Sequence, residues 1–191
     1  SEIGRLVSQK TDDMLRQYYL EHTAGGPLVI LADSGSDLPQ ELIDSLGIDV
    51  VPLNLVIAGH SYLDRIELST RQFFALDGKK STAQPSVGVV KLRLEALLEK
   101  YEKVLIISLA SALSGTFQSY QQAIKLLQAE DRVLLVDSKQ NSVSLGLLVL
   151  NAARALAAGE PVEKIQAQAE AQADKAHIYV ALDKLETMVN S

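Results

Sequence analysis

The sequence predicts an α/β fold: one three-layer α/β/α domain on a mostly parallel sheet. Three observations carry that prediction. Residues 28–32, 104–108 and 132–136 are short, nearly continuous apolar runs, the pattern of strands buried on both faces. Between them apolar residues recur every three or four positions, as at Val87, Val90, Leu94, Leu97 and Leu98, the pattern of helices packed on one side. The two kinds of segment alternate from residue 28 to residue 181, the order that builds a parallel sheet with helices on both faces.

Taken in order, residues 1–22 set Ile3, Leu6, Val7, Leu15, Tyr18 and Tyr19 on a polar background, and Thr23-Ala-Gly-Gly-Pro27 breaks the pattern. This predicts a helix and linker over 1–26, ahead of the main domain at 27–181. The strand at 28–32 runs into Asp33-Ser-Gly-Ser-Asp-Leu-Pro39. There Ser36 or Asp37 can cap a helix, Pro39 suits its first turn and Gly47 its end. Residues 48–57 read as a strand in which Pro52 demands an edge or a bulge. His60 sits in a Gly-His-Ser turn, read as a surface hairpin tip. Ser69 caps a short helix reaching Leu76, residues 77–84 form a polar loop, and Pro85-Ser86 opens a helix to Lys100. Phe117, Tyr120, Ile124 and Leu127 mark the next helix. Another runs from about Ser142 to Gly159, and Pro161 opens one that continues to about Lys175. The QAQAEAQA run at 166–173 has period two, but Ala, Gln and Glu favour helix over strand. Residues 177–181 read as a final strand, and 182–191 as the start of a second domain that opens with a helix.

Composition narrows the function. The 191 residues amount to about one domain, and 47% are apolar, enough for a real core. A net charge of −6 argues against nucleic acid and anionic membranes as partners. With no cysteine, disulfides, thiolate nucleophiles and the common structural zinc sites are excluded. His22, His60 and His177 are far apart. The most apolar stretch, 145–159, holds Asn151 and Arg154 and falls short of the roughly 20 residues a membrane span needs. The N-terminus has no apolar signal region, so the expected location is cytoplasmic.

In such a sheet ligands bind beyond the carboxyl ends of the strands. Four segments that fall there are rich in hydroxyls: Asp33-Ser-Gly-Ser36, residues 81–86, residues 108–116, and residues 137–142. The hydroxyls of these segments, Ser34 and Ser36 in the first of them, are the candidate ligand-binding groups. Small hydroxyl residues at helix starts, with Gly35 and Gly115 admitting close approach, make an anion cradle that needs no Lys or Arg. The same residues also serve as ordinary helix caps. Asp33, Asp37, Asp64 and Asp137 have no metal-ligand spacing, and Asp33 and Asp137 suit turns, so no metal or cofactor is expected. A GxSxG elbow and a P-loop lysine are both missing.

At these loops the sequence resembles the DegV family of bacterial fatty-acid-binding proteins, from about Val29 to Met188. Asp33-Ser-Gly-Ser-Asp-Leu-Pro39 is similar to the family's D-S-x-S-D-L-P, and Val51-Pro-Leu53 to its second-strand motif. Asp64 follows Gly59-His-Ser-Tyr62 as an Asp follows Gly-x-x-Tyr in the family. Thr82-Ala-Gln-Pro-Ser86 resembles T-S-Q-P-S, with Ala83 in place of Ser. Residues 111–119 resemble S-x-L-S-G-T-Y-Q-S, and Asp137-Ser138 with Gly146 resembles the D-S…G segment. The resemblance implies a long-chain fatty acid held between an α/β domain and a smaller second domain. Its carboxylate would meet Thr82 and Ser111, supported by Ser114 and Gly115. It also implies a binding subunit that presents the acid to a separate fatty acid kinase subunit and has no catalytic residues of its own. The family continues beyond Met188 with a Gly-Gly-Arg segment, so the chain reads as shortened to the first domain, and self-association of so exposed a fragment is expected. Rival readings are a small-molecule phosphotransferase-like domain and a regulatory assembly domain that holds no ligand.

Overall fold

The computed structural model describes residues 2–179, with side chains from residue 12 onward. Helix α1 (Glu2–Glu21) precedes β1 (Gly26–Asp33). A 3-10 turn at Ser34–Ser36 leads to α2 (Gln40–Leu46), β2 (Asp49–Val51), β3 (Asn54–Ile57), β4 (His60–Leu63), α3 (Thr70–Ala75) and β5 (Lys80–Ala83). Then α4 (Val87–Lys100), β6 (Tyr101–Ser108), α5 (Thr116–Leu127), β7 (Val133–Asp137), α6 (Ser142–Ala157) and α7 (Val162–Ala173) complete the described chain.

The main sheet is parallel, with strand order β2-β1-β6-β7. Side chains alternate across it and divide the core in two. Ile30, Ala32, Leu105 and Ile107 face α2, α6 and α7, where Ile43, Leu145, Val149 and Ile165 are buried. Val29, Leu31, Val104 and Ile106 face α4 and α5, where Leu94, Leu97, Tyr120 and Ala123 are buried. The expected three layers are present. Helix α1 packs on the outside of α4.

Several elements differ from the sequence reading. Residues 48–57 are not one strand. Pro52 lacks the N–H a ladder needs, and the chain leaves the main sheet there after an edge strand of three residues, β2. It re-enters as β3 at the centre of a second, antiparallel sheet of order β4-β3-β5. The sequence reading held no such sheet. Its hairpin turns at Ala58-Gly59, both at positive φ (50° and 84°) as tight hairpins prefer; His60 begins β4 and is exposed. The polar loop at 77–84 contains β5, whose Lys80-Ser-Thr-Ala83 is recruited by pairing with β3 and not by apolar pattern. Neither Ser36 nor Asp37 caps α2. Pro39 stands at its N-cap, and Asp33 caps the 3-10 turn instead. Gly26, read as linker, begins β1 by pairing with Tyr101 of β6. Residues 177–179 are not in a strand; 180 and 181, and the helix and domain start expected at 182–191, lie outside the described residues.

Candidate functional site

The second sheet leans over the carboxyl end of the main one and leaves a cavity of about 460 Å³ between them. Leu53, Leu55, Phe73, Phe74, Leu109 and Leu113 give it apolar walls. Ser34, Thr70, Thr82, Gln84, Ser114, Asn141 and Ser142 give it polar ones. A second cavity of about 280 Å³, between α1, α2 and β2, is built around the buried Arg93–Asp49 ion pair and holds none of the hydroxyl-rich segments.

Backbone amides at the strand ends are held by two aspartates. Asp33, fully buried, accepts from Gly35 N at 3.1 Å and from Leu109 N at 2.8 Å, which joins the loops after β1 and β6. Burial pushes its carboxyl up to about 6, although those amides favour the charged form. Asp137 does the same one strand along, accepting from the N–H of Ser111 at 3.1 Å and of Lys139 at 3.0 Å. The 109–114 loop is therefore gripped from both sides.

The six candidate residues end up in different places. Ser34, Thr82 and Ser114 line the cavity. Ser34 Oγ also accepts from Leu53 N at 3.0 Å, tying the 3-10 turn to the crossover between the sheets. Thr82 lies opposite Leu55 in the β3–β5 ladder. Ser114 Oγ accepts from Thr116 N at 3.2 Å and lies 2.8 Å from Thr116 Oγ1, just ahead of α5. Ser111 does not line the cavity; its hydroxyl donates to Asp137. Ser36 is buried beneath α6 and its hydroxyl has no partner among the described residues. Its carbonyl lies so close to Gly146 that a Cβ there would fall 2.4 Å away. Gly115 is the N-cap of α5, pressed against the Gln84 side chain.

Sequence reasoning passed over Gln84, Asn141 and Ser142 as site residues, although each lies in a hydroxyl-rich segment. Ser142 Oγ donates to Asp37 at 2.7 Å, a link across 105 positions that no local pattern reveals. The apolar walls from β3 and α3 were equally hidden, because they depend on the second sheet.

Among the described residues no Lys, Arg or His lines the cavity, and two carboxylates do, Asp37 and Asp64. Asp64 follows β4 and Thr82 lies on β5, on opposite sides of β3, so they stand two strand spacings apart, about 10 Å. Among the described residues no cluster of His, Asp and Glu could hold a metal ion, and no helix is long and apolar enough to cross a membrane.

The DegV family profile matches residues 27–191. A DegV domain-containing protein of Caldanaerobacter subterraneus is 36% identical over 141 residues, 72% of this chain and 50% of that protein. One from Staphylococcus aureus is 29% identical over 164 residues, 84% of this chain and 58% of that protein. The chain thus spans about half the length of the curated relatives it matches. Among solved structures, a fatty-acid-binding DegV family protein from Thermus thermophilus superposes with a TM-score of 0.68 at 31% identity, covering 78% of this chain and 54% of that one. DegV of Bacillus subtilis, described as a fatty acid binding protein, gives 0.69 at 26% identity, with the same coverages. On its fold and on a match that takes in residues 27–191, this chain belongs to the DegV family.

Proposed function

We propose that this chain forms the head-group end of a binding site for a long-chain fatty acid. The observation that carries this reading is the cavity's division into an apolar wall and a hydroxyl rim without a basic residue. A fatty acid has the same two parts. Its tail gains about 0.8 kcal/mol per buried methylene, so affinity comes from the apolar wall. Neutral hydroxyls then hold the carboxylate without the grip of a bidentate Arg. Thr82 and Ser114 are the head-group hydroxyls in this reading. Ser111 acts one step back, because its hydroxyl is already given to Asp137. The similarity to solved proteins described as fatty-acid binding supports the reading independently.

In this reading the chain is a binding subunit and not an enzyme, and it presents the carboxylate to a separate ATP-dependent kinase subunit. Phosphoryl transfer needs a nucleotide site and cations to offset developing charge, and the cavity offers hydroxyls and carboxylates. Native mass spectrometry of the full-length gene product tests the first step: a co-purified long-chain acid is expected. An assay of ATP consumption with added fatty acid, with and without a kinase subunit, tests the second. Acyl phosphate made by the purified protein alone would favour a phosphotransferase instead.

A further inference from the structure

We propose that Gln84 is a head-group residue of the cavity, its carboxamide N–H donating to the ligand's carboxylate between Thr82 and Ser114; this rests on the fatty-acid reading above. Gln84 follows Thr82 by two residues and lines the same cavity, just beyond the end of β5. The oxygen of its carboxamide points at the bare Cα of Gly115. A Cβ at Gly115 would fall 1.7 Å from Oε1, 2.5 Å from Cδ and 2.9 Å from Nε2. Yet Gly115 has φ −72° and ψ 5°, a conformation that other residues adopt readily. The space a side chain would take at 115 is therefore taken by the Gln84 amide, which any larger residue there would displace.

The backbone around Gln84 is pinned on both sides. Asn54 Nδ2 donates to the Gln84 carbonyl at 2.8 Å, and the Ser119 hydroxyl donates to the Pro85 carbonyl at 2.9 Å. The side chain itself makes one long hydrogen bond among the described residues, from Nε2 to Ser119 Oγ at 3.4 Å. A carboxamide carries two N–H donors, so one is left for a ligand. A positioned side chain with an unused donor, lining the same cavity as the Thr82 and Ser114 hydroxyls, suits a carboxylate oxygen.

The test is calorimetric binding of stearate and of octadecan-1-ol to the full-length gene product and to Gln84→Glu, Gln84→Ala and Gly115→Ala. Gln84→Glu keeps the size and replaces the donor with a negative charge. It should weaken stearate binding about 10- to 100-fold while octadecanol binding changes less than about twofold. Gly115→Ala should evict the carboxamide and lower stearate affinity as Gln84→Ala does, with melting temperatures confirming folded protein. If Gln84→Glu does not fold, Gln84→Ala decides. Unchanged stearate binding, or equal losses for stearate and the alcohol, overturns the assignment and leaves the fatty-acid reading standing. Failure of the wild type to bind stearate overturns that reading, and the assignment with it.

Discussion

Thr82 and Ser111 both carry hydroxyls in matching motifs, but their environments separate what each does. Thr82 is exposed in the cavity, so Thr82→Val should remove a hydrogen bond to an anion and weaken fatty acid binding roughly 10- to 100-fold, leaving stability unchanged. Ser111 is bonded to Asp137. Ser111→Ala should cost about 1–3 kcal/mol of stability in a urea titration and affect binding less. Loss of affinity in Ser111→Ala with full stability would return Ser111 to the head group. Asp33 makes a further prediction at this scale. Its carboxyl rises from an ordinary 3.8 to about 6 on burial, so the folded state binds the proton more tightly than the unfolded one. The resulting stabilisation is complete below pH 3.8 and is lost as pH rises through 6. Asp33→Asn cannot titrate, and it carries a constant penalty for facing two N–H donors. The stability of wild type relative to Asp33→Asn should fall between pH 4 and pH 7, by up to about 3 kcal/mol. A difference that does not vary with pH would show that Asp33 titrates normally.

The elements divide into those whose cause is local and those whose cause is a distant partner. β1, β6 and β7 were legible because burial on both faces leaves an apolar run in the sequence. α7 was legible despite its period-two pattern, because Ala and Gln are better in helices than in strands. β5 was not legible: its four residues are mostly exposed and polar, and β3 defines them as a strand. Half of the candidate site shares that fate. Ser34, Thr82 and Ser114 announce themselves as hydroxyls near helix starts, whereas the contact of Gln84 with Gly115 depends on two loops meeting. Helix α1 is a third case, tied to α4 by the buried Arg93, by the buried Tyr19 and by an exposed Arg16–Glu99 ion pair. Arg93 of α4 donates to Asp49 of β2 through Nε at 2.6 Å and through Nη2. It also donates to the Tyr19 carbonyl at 3.2 Å and to Thr23 Oγ1 at 3.0 Å, and its guanidinium stacks 4.6 Å from the Tyr19 ring. The Arg93→Met change would leave Asp49 buried without its partner and should destabilise by about 3–5 kcal/mol. Pairing it with Asp49→Leu should recover most of the loss. If the single variant melts like wild type, the pair does not anchor α1.

For the whole molecule the question is what the cavity's rim meets. Phe74 (72% exposed) and Leu113 (60%) line the cavity, and Val143 (65%) and Leu147 (54%) follow Ser142 along α6. Large apolar side chains scattered singly on a surface are ordinary, but a group of them beside a cavity favours contact with another apolar surface. The relatives that match this chain are about one and a half times its length, so they have additional polypeptide available to shield such a surface. We propose that the 191-residue chain, alone at high concentration, shields it by self-association. Sedimentation over a concentration series should show reversible assembly. The double change Leu113→Glu with Val143→Glu should return a monomer, since each glutamate would have to be buried without a partner in the contact. Both positions are exposed, so the fold should survive, and an unchanged circular dichroism spectrum would separate loss of contact from loss of structure. A wild-type chain that stays monomeric across the series would mean that the rim needs no shielding, and that the acyl tail itself can rest on these side chains in open solvent.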